Sequence, residues 1–447
     1  AIVLPNGSYM ATSFLAISSY MSAAPLNPNY KSEEFEFYLE DLKPKIVIVE
    51  KNSKNPVVEV ANKLKIPVCE IKSDGNTLSG DFNLFEKSSD YILPGEDHEA
   101  LVLHTSGTTS RPKIVPLTNK NIFSSADNIS KSLNLTDKDH CLNIMPLFHI
   151  HGLIAVLAAS MKVGASVCAS SGFNALKFLD NAKREKITWY SGVPTMHQAI
   201  LMRADKNLET AKQLNLRFLR SSSASLPPAV FEKLNEVFNC PVIEAYGMTE
   251  ATHQMTSNPL PPKSQKPGFV GIPAGPEVCI MDANNKILNQ GEEGEVCIRG
   301  ENVTSGYENN PDANKNSFSN GWFRTGDQGY FDKDGYLKIS GRLKEIINKG
   351  GEKISPLEVD NILMDHPNIE QAVCFGYEDK MLGEDIATAI IIKEGMKCTE
   401  DDIKIYANEK LAKFKIPKKI FFVNEIPKGA TGKLQRNTLA KKFGLVN

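Results

Sequence analysis

From the N-terminus to about residue 300, short apolar runs alternate with stretches of helical length, and this alternation limits the fold more than any other feature. Ala1–Leu4, Lys45–Val49, Ala100–Leu103, Cys141–Met145, Ala165–Ala169, Thr188–Tyr190, Leu216–Arg220 and Val242–Ala245 read as strands. Between them, Ser8–Ser22, Thr118–Leu133, Gly152–Met161, Ala175–Lys186, Pro194–Arg203 and Pro227–Phe238 read as helices. The pattern predicts an α/β protein in which parallel sheets are layered between helices. Near Gly271 the rhythm shortens. Glu277–Met281, Glu295–Arg299 and Tyr336–Ile339 are strand-like, and Asp332-Lys333-Asp334-Gly335 has the chemistry of a hairpin turn. A small antiparallel, barrel-like sheet is expected there. After Arg342 the composition changes again, to a compact α+β unit opened by Ser355-Pro356. The expected division is an N-terminal domain over 1–341, a hinge at 342–344 and a mobile C-terminal domain over 345–447.

Composition matters mainly for what it excludes. A net charge of -2 gives no electrostatic case for nucleic acid or for a membrane surface. No apolar run approaches the ~20 residues that span a bilayer. Eight cysteines occur without a CxxC pair, mostly in apolar surroundings, which predicts reduced core thiols. The eight histidines form no spaced metal motif. The chain opens in what reads as mid-strand, so further residues are expected upstream.

Six polar segments could carry chemistry. Thr105 to Lys113 reads TSGTTSRPK, with Thr105, Ser106, Thr108 and Thr109 as hydroxyls, Gly107 permitting a sharp bend, and Lys113 as a cation. Such a loop suits phosphate oxygens, although a solvated Ser/Thr loop has the same composition. Tyr246-Gly247-Met248-Thr249-Glu250 follows the last strand of the series, where ligands gather in α/β folds. Tyr246 offers a ring for a base, Thr249 a hydroxyl for a phosphate and Glu250 a hard oxygen for Mg²⁺. Asp327, on Thr325-Gly326-Asp327, could accept from two ribose hydroxyls, or simply close an Asx-turn. Arg342, in Gly341-Arg342-Leu343-Lys344, could bond ribose or phosphate, or be a surface charge. Lys349-Gly350-Gly351 permits close approach of a thin ligand arm. Lys433 stands in the basic run Pro427 to Arg436, where a flexible ammonium could bridge a carboxylate and a phosphate.

Taken together and in this order, these segments resemble the motifs of the adenylate-forming enzymes, the superfamily of acyl-CoA synthetases, luciferases and adenylation domains. The resemblance covers residues 1 to about 440. It implies ATP, Mg²⁺ and coenzyme A as substrates and cofactors. By the same resemblance, the 105–113 loop, Tyr246, Thr249, Asp327 and Arg342 bind ATP, Glu250 holds Mg²⁺ and Lys433 serves adenylation. Lys344 is then the hinge, and Lys349, Gly350 and Gly351 meet the pantetheine arm after the C-terminal domain turns. Two positions depart from the family pattern: Ile114 replaces a glycine after the loop lysine, and Lys344 replaces an aspartate common at the hinge.

Within that superfamily, Ser221 to Leu226, Glu244 to Pro259 and Pro146 to Gly152 are most similar to the plant and fungal oxalyl-CoA synthetases. Oxalate is a small dianion and needs donors and a cation rather than a deep apolar pocket. His253 is expected to pair, as an imidazolium, with the free carboxylate. Ser223 is expected to donate a bond, and His149 to line the same cavity. His151 reads as a core or gating histidine. The expected reaction is oxalate, ATP and CoA to oxalyl-CoA, AMP and pyrophosphate. The alternatives are a short- or medium-chain acyl-CoA synthetase and a non-catalytic nucleotide-binding or RNA-associated protein. A monomer is compatible with the sequence. The resemblance also implies a peroxisomal location, with the cytoplasm as alternative. That location would need a Ser-Lys-Leu-like signal, and an import receptor as partner, beyond Asn447.

Overall fold

The computed structural model of the chain describes residues 1–71, 94–105, 112–429 and 433–445. Its largest sheet has seven strands. Ser166–Ala169, His140–Asn143, Trp189–Gly192, Phe218–Ser221 and Val242–Met248 run parallel, in that spatial order. His253–Ser257 then returns antiparallel, followed by the two-residue strand Ile272–Pro273. The parallel strands are apolar on both faces, as strands covered on both sides must be. Phe218, Trp189 and Ile243 face one core, while Leu219, Tyr190 and Val242 face another. The first core packs under the helix Asn119–Ser132 and the π-helical stretch His151–Ala158. The second packs under Pro194–Ala204 and Pro228–Phe238.

Local chemistry accounts for the helix starts that were legible. Thr118 caps Asn119–Ser132 by accepting from the Asn121 N–H at 3.2 Å, while the Asn121 side chain accepts from the Thr118 N–H at 2.9 Å. Proline occupies the first turn of Pro194–Ala204, Pro228–Phe238 and Pro356–Met364.

The expected antiparallel unit is a five-stranded sheet of Glu277–Met281, Gly294–Arg299, Trp322–Phe331, Phe318–Ser319 and Leu337–Arg342. From Ile347 onward a third sheet forms, in which Gly383–Ile392 lies between Ile369–Asp379 and the hairpin Ile347–Lys349/Glu352–Ile354, with Lys419–Phe422 also paired to it. It has its own cores, around Ile354, Leu363 and Ile403 on one face and Phe375 and Leu439 on the other. All eight cysteines are free. Among the described residues no helix is long and apolar enough to cross a membrane.

Four local expectations need correction. Ala1–Leu4 makes only isolated bridges, from Ile2 to Ile48 and Pro25. The 105–113 loop does not join a strand to a helix. Ile114–Thr118 is itself a strand, antiparallel to Glu99–His104, because β-branched Ile114 and Val115 bury against the core before Thr118 starts the helix. The strand expected to stop at Ala245 continues through Met248, since His253–Ser257 folds back and pairs with it. Thr325-Gly326-Asp327 lies within the strand Trp322–Phe331 rather than on a turn, with register shifts on both sides.

Candidate functional site

The extended strand Val242–Met248 carries Tyr246 out of the parallel sheet toward the antiparallel unit. There its hydroxyl donates to Asp327 Oδ2 in a very short hydrogen bond. Arg342 is directly across the ladder from Asp327, and its Nε donates to Oδ1 at 3.1 Å. Both Asp327 oxygens are thus held, by residues from two different sheets. Tyr246 is partly exposed, as a stacking surface must be.

Thr249, Glu250 and Ala251 form a single 3-10 turn between the two antiparallel strands. Glu250 is 6 % exposed, and Tyr307 donates to its Oε1 at 2.7 Å. Lys113 Nζ lies 4.0 Å from the Tyr307 ring centre, a cation–π contact. Burial raises the Glu250 carboxyl, while the Tyr307 bond, Lys113 and Arg342 oppose the rise. Burial lowers the Lys113 ammonium, with Glu250 acting against it and exposed Lys344 adding to it. Thr105 N–H donates to Lys113 O at 2.9 Å and closes the base of the loop. Ser106, Gly107, Thr108 and Thr109 lie outside the described residues. A buried carboxylate with one oxygen bonded by a tyrosine suits Mg²⁺, which is held by one or two carboxylates together with substrate phosphates.

Lys433 reaches this cluster from the far end of the chain. Burial and then Arg342 pull its ammonium down to about 8, while Asp327 and Glu250 work in the opposite direction. Its loop is closed by the Gly429 N–H donating to Lys433 O at 2.7 Å and by Gln435 N–H donating to Pro427 O at 3.0 Å. Arg436 anchors the loop. It donates to Asp360 Oδ2 at 2.6 Å and to the Cys374 carbonyl, and pairs with Glu345 at 3.2 Å. Burial works against its charge, but Asp360 and Glu345 hold the proton more tightly than usual. Arg436→Ala leaves the Asp360 carboxylate buried without its cation and is expected to cost about 3–5 kcal/mol. Thermal unfolding with protease susceptibility near residue 430 checks this.

A second cluster sits at the end of the π-helical stretch. Gly152 packs so tightly on Pro146 that a Cβ would meet the Pro146 carbonyl oxygen at 2.4 Å. That contact fixes buried His151, whose Nδ1 pairs with Ser223 Oγ at 3.0 Å and Nε2 with Ser191 Oγ at 2.6 Å. His253 stacks obliquely on it with ring centres 5.0 Å apart. Both Ser223 (φ 73°) and His253 (φ 96°) hold left-handed backbone, a strain that concentrates at functional sites. His149 Nδ1 accepts from the His151 N–H at 3.2 Å. The structure does not support an imidazolium at His253. Burial, then Arg220, His149 and Lys433, keep it well below the usual histidine range. His149 falls to about 3 by burial and the Lys433 charge.

The structure therefore brings Tyr246, Glu250, Asp327, Arg342, Lys113 and Lys433 into one cluster and His149, His253 and Ser223 into a second cluster around His151. Lys349, Gly350 and Gly351 form a hairpin turn whose partners belong to its own sheet. Lys349 pairs with Asp385 at 2.5 Å and Gly350 N–H donates to Leu382 O. Sequence reasoning missed Tyr307, Ser191, Arg220 and the anchoring part of Arg436. Of these, Arg220 stood in the sequence as a charge at the end of a strand, a position that by itself assigns no role.

A family model for AMP-binding enzymes matches residues 1–308, and one for the C-terminal domain of those enzymes matches residues 358–433. The chain belongs to the AMP-binding enzyme family. It is 48% identical to the oxalate–CoA ligase of Arabidopsis thaliana, over 99% of this chain and 88% of that protein. It is 43% identical to the oxalate–CoA ligase of Saccharomyces cerevisiae, over 99% and 86%. The family's fold is equally evident in the likeness to ATP-bound MatB from Rhodopseudomonas palustris, with a TM-score of 0.86 and 26% identity over 98% of this chain and 92% of that one.

Proposed function

We propose that this AMP-binding enzyme is an AMP-forming acid–CoA ligase whose acid is oxalate. The observation that carries the reading is convergence. Glu250, Asp327 and Arg342 come from two sheets and Lys433 from a C-terminal loop, yet the charges of the first three all bear on Lys433. The oxalate–CoA ligase relatives, matched over nearly the whole chain, supply the acid.

In this reading Tyr246 stacks on the adenine, Asp327 and Arg342 hold the ribose, and Thr105 to Lys113 with Thr249 hold the phosphates. Glu250 would hold Mg²⁺, which neutralises phosphate charge when bound. An oxalate oxygen attacks the α-phosphorus. The new P–O bond forms as the bond to pyrophosphate breaks, and the electron pair leaves with pyrophosphate. Lys433 lies where that charge develops and stabilises it electrostatically. In the second step the CoA sulfur attacks the acyl carbon, the C–O bond to AMP breaks, and the thiol proton passes to solvent.

The division at 342–344, with Lys344 as hinge, belongs to the same proposal. Lys433 now covers the site while the Lys349–Gly351 turn faces its own sheet, so the second step needs the C-terminal unit to turn. A peroxisomal location is part of the proposal.

The test is AMP formation with Mg·ATP and CoA over oxalate, malonate, acetate, octanoate and a cinnamate. Oxalate is expected to give the highest kcat/KM. Preference for octanoate or cinnamate would keep the ligase and discard the acid. AMP formation with none of them would discard both.

A further inference from the structure

Arg220 is a fully buried arginine in the middle of the main sheet. Among the described residues its one side-chain hydrogen bond runs from Nη2 to Gln254 Oε1 at 3.1 Å, and its Nε and Nη1 have no partner. The strand Phe218–Ser221 alternates, so Arg220 shares the face of Phe218 and not that of Leu219. Across the ladder it is level with Ser191 and Ile243. Ser191 projects on the same face and bonds His151. The buried carboxylate of Glu244 is level with Ser221, on the opposite face. No carboxylate pairs with Arg220 among the described residues. Burial alone acts on the guanidinium and brings it down to about 9.

An unpaired buried charge is costly, and proteins keep one where something compensates for it. The charge of Arg220 acts on both His151 and His253. The His253 Nδ1, also buried and without a partner, lies against Gly247, beside Tyr246 and the nucleotide cluster. Arg220, with unsatisfied donors, is thus level with Ser191, which bonds His151, and His253, with an unsatisfied ring nitrogen of its own, stacks on that histidine.

We infer that Arg220 is the specificity-determining cation for the non-reacting anionic group of the acid, acting from beneath the neutral His151–His253 pair. The inference rests on the ligase reading above and names the group that the histidines were expected to supply. A substrate with two anionic groups provides the missing counter-charge, whereas a monocarboxylate leaves the cation uncompensated. Arg220 thus discriminates by charge, and Ser223 and His253 orient the group that it attracts.

The test compares oxalate with acetate in the wild-type protein, in Arg220→Gln and in Arg220→Lys, following AMP release. Arg220→Gln is expected to raise the KM for oxalate roughly 100-fold, with the acetate KM and both kcat values changed far less. Arg220→Lys keeps the charge and is expected to restore part of the discrimination. If Arg220→Gln does not fold, Gln254→Glu keeps Arg220 but gives it an internal counter-ion, and the preference for oxalate is expected to fall. Unchanged oxalate-to-acetate ratios in the variants would overturn the inference and leave the ligase reading standing. A wild-type enzyme that prefers acetate would overturn both the inference and the choice of acid.

Discussion

Lys433→Ala is expected to slow formation of the acyl-adenylate by roughly 100- to 1,000-fold, the usual effect of removing one preorganised charge from a developing oxyanion. The second half-reaction, from preformed acyl-adenylate and CoA, is expected to change little, because in the proposed mechanism the ammonium acts where pyrophosphate departs. Measuring the two half-reactions separately checks the assignment, and equal losses in both would sink it. The same lysine predicts a pH dependence. In the free protein its ammonium titrates at about 8, so kcat/KM for adenylation should fall as pH rises through that value. Bound triphosphate favours the charged form, so the fall in kcat should lie at higher pH. The sign for stability is opposite. The folded-state value lies below the ordinary lysine value of 10.5, so between the two the unfolded chain binds more protons and stability rises with pH. Below about 8 this contribution no longer changes with pH.

Gly247→Ala should damage stability and activity together. A Cβ at Gly247 would stand 1.8 Å from the His253 carbonyl oxygen and 2.6 Å from its carbon. Both are backbone atoms of the paired strand and cannot rotate away. The antiparallel return would have to separate from Val242–Met248, and that pairing positions Tyr246, Glu250 and His253 together. We expect a loss of about 3 kcal/mol, at the upper end of overpacking effects, and roughly 100-fold lower AMP formation from misplaced groups. Gly95→Ala, where a Cβ meets nothing within 4 Å, is the control and should be neutral. Thermal unfolding and AMP release measured on both variants decide it. A Gly247→Ala protein with wild-type stability would show that the two strands pack less closely than described.

Features that depend on neighbours in sequence were legible before the fold was known. Thr118 caps its helix through Asn121, three residues on. Asp332 accepts from the N–H groups of Asp334 and Tyr336, and so closes the expected hairpin. Features that depend on distant partners were not legible. His253–Ser257 looks like the continuation of a polar loop until Val242–Met248 lies beside it. Tyr307 is one aromatic among many until its hydroxyl meets a carboxylate 57 positions away. The charge at His253 was misjudged for the same reason. Histidine protonation is set by surroundings, and the surroundings include a buried arginine 33 positions upstream. Arg220 itself drew no role from the sequence because an arginine at a strand end ordinarily reaches water.

The strand Ile272–Pro273 closes one margin of the main sheet. It is only two residues long, and proline has no N–H to offer. At that margin a short, proline-bearing strand covers the antiparallel return His253–Ser257 and disfavours pairing with a strand from another molecule.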